Sequence, residues 1–287
     1  RAYDDRRYLE RPATTASGER VRVMLNLADL GDVAAVAVRD CDGIGLVRTE
    51  LMLRTLSDLA DEERQFEHYR DIVAWAKGRP VTFRTLDAGG DKPIEGYTVA
   101  GESNPFLGMR GVRLSLLHPE TLAVQLRALV RAASHGELRI MVPMVTQPAE
   151  LDDVRALLDE TVAQLRAAGT PCARPALGMM VEVPAAAIAI DTFDAEFFSI
   201  GSNDLIQYVC ACSRESDRLA ALQDPRQPAV LRLIRSVADH AARTGIELSL
   251  CGDMASEVRS IPALLEAGLR CFSVAPARLA AVKAAIA

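Results

Sequence analysis

Leu177-Gly-Met-Met-Val-Glu-Val183 is apolar at every position except Glu182, and Pro184 follows directly. A near-continuous apolar run of about four to eight residues is how a parallel strand buried on both faces reads. Seven more runs of this kind recur along the chain: Val21–Leu27, Gly43–Val47, Val81–Leu86, Leu138–Val145, Phe197–Ser202, Glu247–Gly252 and Cys271–Ala275. Longer stretches with helical periodicity lie between them. Ser57–Lys77 carries Leu59, Phe66, Ile72, Val73 and Ala76 on one stripe, with Ser57 as N-cap and Gly78 as the stop. Pro119–Ser134, Ala149–Ala168, Gln227–Thr244 (ended by Gly245) and Ser256–Ala267 (ended by Gly268) repeat the pattern. Eight strands alternating with helices predict an α/β fold, a (β/α)8 TIM barrel. Pattern alone leaves an open doubly wound sheet as the alternative. The barrel is expected over residues 21–287. Residues 1–20, with Pro12 and the Thr-Thr-Ala-Ser-Gly stretch at 14–18, read as a connector. The chain opens Arg-Ala-Tyr-Asp-Asp with no Met, so a piece of a longer parent is the expectation.

Composition narrows the function. In 287 residues, 49% are hydrophobic and the net charge is −6, which excludes a disordered chain. No uncharged apolar run reaches the roughly 18 residues of a membrane span, because Glu182 interrupts the best stretch, Leu177–Ile190. The acidic balance speaks against a general nucleic-acid surface. Cys41, Cys172, Cys210, Cys212, Cys251 and Cys271 form no CxxC pair and no zinc-ligand spacing with the four histidines, so a reduced, cytoplasmic protein is expected. Aromatics are 5% of the chain and Trp75 is the sole Trp, which leaves few platforms for stacking bases or sugars.

A barrel places its active site at the carboxyl ends of its strands. The residues there are Asn26, Arg48, Arg84 with Asp87, Met144, Glu182, Asn203 with Asp204, Cys251 with Asp253, and Ser273. Each has a structural alternative: Arg48 pairs with Glu50, or Arg84 with Asp87. As a set they imply more, since charges at buried strand ends must be paired or bind something. Arginine forks recognise phosphate or carboxylate. Glu182 and Asp204 add two hard oxygen donors of the kind that hold Mg²⁺ together with substrate oxygens and water. The pattern points to a phosphorylated anionic substrate and stops there. Gly43-Ile-Gly45 and Gly89-Gly90 read as tight turns after strands. GxGxxG, GxxxxGK[ST], HExxH and GxSxG are all absent.

Six motifs then occur in order. They are Gly-Ile-Gly-Leu-Val-Arg-Thr-Glu (43–50), Arg-Thr-Leu-Asp-Ala-Gly-Gly-Asp-Lys (84–92), Asn-Pro-Phe-Leu-Gly-Met-Arg-Gly-Val-Arg (104–113), Met-Val-Glu-Val-Pro (180–184), Phe-Phe-Ser-Ile-Gly-Ser-Asn-Asp-Leu-Ile-Gln-Tyr (197–208) and Leu-Cys-Gly-Asp-Met-Ala (250–255). Over residues 20–287 the chain resembles the C-terminal phosphoenolpyruvate-binding barrel of the Enzyme I family, the phosphoenolpyruvate–protein phosphotransferases of the bacterial sugar phosphotransferase system. Pyruvate phosphate dikinase and phosphoenolpyruvate synthase share the barrel, and the stretch at 84–92 looks more like Enzyme I. The resemblance implies Mg²⁺ on Glu182 and Asp204. It implies phosphate contacts from Arg48, Arg84 and Arg214 with Asn203 alongside, and Arg110 at the same pocket. It makes Cys251 the acid that protonates C3 of the enolate. A thiol suits that role, and phosphoryl transfer needs positioning and charge neutralisation more than covalent chemistry. Asp253 either tunes that thiol or caps the next helix.

The chain departs from the family at several positions. Ser202 stands where Thr is usual and Ser213 where Asp often precedes Arg214. Cys210, Cys212 and the last strand are atypical. The resemblance also implies a homodimer, and a phosphohistidine domain of the same parent that passes phosphate on to HPr. His68, His118, His135 and His240 sit in no acceptor motif, so this chain alone is expected not to phosphorylate HPr. The rival readings are the equivalent barrel of a dikinase or synthase, and a dimerisation or regulatory module without turnover.

Overall fold

The computed structural model describes residues 6–34 and 36–287. The first five residues of the expected connector lie outside them. After a two-residue strand β1 (Ala13–Thr14) come β2 (Arg20–Leu27), β3 (Ile44–Arg48), β4 (Val81–Arg84), β5 (Leu138–Val142), β6 (Ala176–Val181), β7 (Phe197–Gly201), β8 (Glu247–Cys251) and β9 (Cys271–Val274). Strands β2 to β9 pair in chain order, all parallel, and β2 pairs back onto β9 through Arg22↔Cys271 to Leu25↔Val274. The sheet is therefore closed, and the expected (β/α)8 barrel replaces the doubly wound alternative. β1 runs antiparallel along the start of β2.

The strands are apolar on both faces because each has two dry sides. Val21, Leu25, Val81, Phe83, Ile140, Leu177 and Phe198 join the layer between barrel and helices. Leu46, Met141, Met180, Phe197 and Cys251 form the inner cluster. Helices form where periodicity placed them at Pro119–Ala132, Pro148–Ala167 and Pro228–Thr244, the last closed by Gly245 at φ +71°.

Two helical expectations need correction. The stretch Ser57–Lys77 is two helices, Leu56–Ala60 and Glu62–Trp75. Thr55, not Ser57, caps the first, and Asp61 accepts from Arg64 N to cap the second. Ser256–Ala267 shrinks to Ile261–Glu266, with a separate turn at Asp253–Ser256. The glycines differ too, because Gly43 precedes β3 and Gly45 lies within it.

The amino end of the barrel is self-neutralised. Arg22 and Arg139 both meet Glu247, at 3.0 and 2.7 Å, and Arg270 meets Glu19 at 2.8 Å. Beside it, the Lys283 ammonium donates to the carbonyls of Leu9, Arg11 and Asp40, which ties residues 9–11 to the last helix. Among the described residues no helix is long and apolar enough to cross a membrane.

Candidate active site

A cavity of about 560 Å³ opens at the carboxyl ends of the strands. Arg48, Arg84, Glu182, Asn203, Asp204, Arg214 and Cys251 all line it. Arg110, the remaining site residue expected from the sequence, is not on its wall. It is 1% exposed and lies behind the carboxylates.

Arg48 and Arg84 sit side by side as register partners at the ends of β3 and β4. Their circumstances differ sharply. Arg84 is buried, with Nη2 2.6 Å from Glu50 Oε1 and 3.3 Å from Asp87 Oδ2. Burial works against its charge, but Glu50, Asp87 and Glu182 outweigh it and hold the guanidinium protonated. Arg48 is exposed, and among the described residues no carboxylate lies within 4 Å of it. The expected Arg48–Glu50 pair therefore does not form, while the Arg84–Asp87 pair does.

Arg110 joins two strand ends. Its Nη2 donates to Asp87 Oδ2 at 3.1 Å, and its Nη1 donates to Asp204 Oδ1 at 2.9 Å and to Tyr208 Oη at 3.1 Å. Burial alone would raise the Asp87 carboxyl, but Arg84, Arg110 and Lys92 hold it well below the ordinary carboxylate range. Lys92 went unnoticed as a site residue in the sequence. It lines the cavity and meets Glu50 at 3.1 Å and Asp87 at 3.3 Å. Its signal was its place at the end of the 84–92 motif. Gly89 makes that loop possible, since at φ +100° a Cβ would lie 2.5 Å from Met109 O.

Glu182 follows β6 and is 1% exposed. Its Oε1 accepts from Met144 N at 2.7 Å, where Met144 holds φ +58°. Burial first, then Asp204 and Asp87, push its pKa up to about 7 against the pull of Arg84 and Arg110. Asp204 sits in the first turn of Ser202–Cys210. Two hard carboxylates on one wall, whose mutual repulsion Arg84 and Arg110 only partly offset, suit a divalent cation completed by water and ligand oxygens. Among the described residues no cluster of three or more His, Cys, Asp or Glu would hold a metal with protein donors alone.

Cys251 ends β8, 2% exposed. Its thiol donates to Ile200 O at 3.5 Å, and Ser199 Oγ lies 3.7 Å away. Burial pushes its pKa up to about 11, so it keeps its proton at neutral pH. Neither expected role of Asp253 is seen. It makes no side-chain cap and instead accepts from Asn203 Nδ2 at 3.1 Å, while its own N–H donates to Asn203 Oδ1 at 2.9 Å. This reciprocal pair fixes Asn203 on the wall. Ser202 Oγ donates to Cys251 O at 2.8 Å. Gly252, at φ +92°, permits the packing, because a Cβ there would meet Ser202 Oγ at 2.3 Å. None of the four histidines lines the cavity.

The family described as PEP-utilising enzyme, PEP-binding domain, matches residues 4–287. A phosphoenolpyruvate-protein phosphotransferase of Staphylococcus carnosus is 42% identical over 265 residues, covering 91% of this chain and 46% of that protein. That of Geobacillus stearothermophilus is 43% identical with the same coverage, and that of Listeria monocytogenes is 40% identical over 90% and 46%. The chain thus spans about half the length of the curated relatives it matches. Among solved structures, a malate synthase magnesium/glyoxylate complex from Haloferax volcanii superposes with a TM-score of 0.59 at 10% identity, covering 92% of this chain and 75% of that one. An HpcH/HpaI aldolase/citrate lyase family protein from Burkholderia cenocepacia gives 0.56 at 14%, over 97% and 94%. At such identities these two speak for the fold alone.

Proposed function

The chain belongs to the phosphoenolpyruvate-binding domain family of phosphoenolpyruvate-utilising enzymes, and from that premise we propose that it is the substrate-binding half of a cytoplasmic, homodimeric phosphoenolpyruvate–protein phosphotransferase. Arg48, Arg84 and Arg214 grip the phosphate, with Asn203 alongside. The Nε–H of Arg84 is buried and has no acceptor among the described residues, which supports an anion as the missing partner. Glu182 and Asp204 hold Mg²⁺, and Arg110 serves the pocket from behind by fixing Asp204. A divalent cation there supplies neutralising charge for the phosphoryl group in transfer.

The phosphoryl group passes to a histidine on a separate swivelling domain of the parent, and from there to HPr. The enolate left behind takes a proton at C3 from the Cys251 thiol and leaves as pyruvate, and solvent reprotonates the thiolate. One observation carries the reading: a protonated thiol, two buried carboxylates and three arginines share one cavity. Calorimetric titration of the chain with phosphoenolpyruvate should show binding with Mg²⁺ and little without it. Absence of Mg²⁺-dependent binding overturns the proposal, as does transfer of labelled phosphate from phosphoenolpyruvate to HPr by this chain alone.

A further inference from the structure

Arg214 lies on the irregular segment after the Ser202–Cys210 helix, where no strand or helix fixes its side chain. Its backbone N–H donates to Gln207 Oε1 at 3.0 Å, which anchors the Cα. Its guanidinium is set by three further contacts. Phe106 lies beneath it, 5.5 Å from ring centroid to Cζ. Asp204 Oδ2 lies 3.5 Å from Nη1. Asp91 takes Nη2 on both carboxylate oxygens, at 3.2 and 3.3 Å. Ser213, where the family often has an acidic residue, accepts from Glu215 N and Gln223 Nε2 and gives Arg214 no carboxylate. The carboxylate comes from across the cavity.

We propose that Asp91 is a positioning residue, one that fixes Arg214 through Nη2 and, with Nη1 beside Asp204, leaves its Nε for the substrate phosphate. The inference rests on the phosphoenolpyruvate reading of this cavity. Its physical basis is the anchoring of a long side chain. An arginine stem free to turn loses its rotamer freedom on binding, and a guanidinium already held along one edge loses less. Asp204 cannot serve alone, because it is also one of the two carboxylates assigned to the cation. The Gly89–Lys92 loop divides the work between neighbours. Lys92 reaches back to Glu50 and Asp87, and Asp91 reaches forward to Arg214. The Asp91 and Arg214 side chains are about a quarter exposed, so the pair is neither sealed in the core nor fully screened.

The test uses D91N and D91E in this chain, with phosphoenolpyruvate and with oxalate as probes, both with Mg²⁺. Oxalate has the size of the enolate and lacks the phosphate, so it reports on the cavity without Arg214. D91N should weaken phosphoenolpyruvate about tenfold, the scale of one charged hydrogen bond. It should change oxalate affinity less than about twofold, leave the melting temperature unchanged, and be partly rescued by D91E. Equal weakening of both ligands would make Asp91 a packing residue and overturn the proposal. Unchanged or tighter phosphoenolpyruvate binding would overturn it too, since Asp91 would then be idle or a competitor of the substrate. If the unmutated chain binds oxalate with Mg²⁺ but not phosphoenolpyruvate, the functional reading itself falls and this inference with it.

Discussion

Replacing Arg110 by Met keeps most of the buried volume and removes the charge. Arg110 is 1% exposed and serves Asp87, Asp204 and Tyr208. Breaking a buried ion pair on one side costs about 3–5 kcal/mol when the other charge is left uncompensated. Here neither carboxylate is stranded. Asp87 keeps Arg84 and Lys92, each at 3.3 Å, and Asp204 keeps Arg214 at 3.5 Å. The lower end, about 3 kcal/mol, therefore applies. For a chain of this size about 2–4 °C of melting temperature goes with each kcal/mol, so R110M should melt about 6–12 °C lower. Differential scanning calorimetry on R110M, D204N and the double variant completes the cycle. Removing Asp204 as well should return at least about 1 kcal/mol, because the two side chains share the lost interaction. Strict additivity, or a loss under about 2 °C, would refute the reasoning. An unchanged melting temperature with lost phosphoenolpyruvate affinity would instead make Arg110 a direct substrate contact.

Two further outcomes follow from single groups. C251A should keep phosphoenolpyruvate affinity within a few-fold but slow pyruvate release strongly in the reaction reconstituted with the histidine-bearing half, because the thiol acts on the enolate; equal loss of binding and turnover would make Cys251 a packing residue. Glu182 has its pKa raised to about 7, so between about pH 4.5 and 7 the unfolded chain gives up this proton while the folded one keeps it, and stability falls as pH rises. E182Q should accordingly be about 1–3 kcal/mol more stable than the unmutated chain at pH 7.5, melting about 2–12 °C higher, and lose its melting shift with Mg²⁺ and phosphoenolpyruvate; a lower melting temperature, or a retained metal-dependent shift, would contradict this.

What the sequence made legible, and what it hid, follows from how far each contact reaches along the chain. The run at 177–183 showed its strand because both faces of β6 are dry, and it showed Glu182 because a carboxylate ending such a run is too costly to stand idle. The break at Asp61 was invisible, because the apolar stripe continues on either side of it. Arg48 and Arg84 looked alike as strand-end arginines. Only the pairing of β3 with β4 shows that Arg84 is already neutralised by Glu50, 34 residues away, while Arg48 has no such partner. Spacing says even less about Arg110 and Asp204, which are 94 positions apart. This changes the charge argument. A count of arginines suggests a strongly positive pocket, but among the described residues Arg84, Lys92, Arg110 and Arg214 interlock with Glu50, Asp87, Asp91 and Asp204, and beside Arg48 the carboxylates of Asp32, Glu182 and Asp253 also line the wall. Positive charge is thus present without being in excess. A site balanced in this way gains little from a multiply charged anion by itself, and a divalent cation on Glu182 and Asp204 would tip the balance. The proposed Mg²⁺ dependence of binding therefore has an electrostatic origin in the ion pairs of this chain, beyond any need for the metal in phosphoryl transfer.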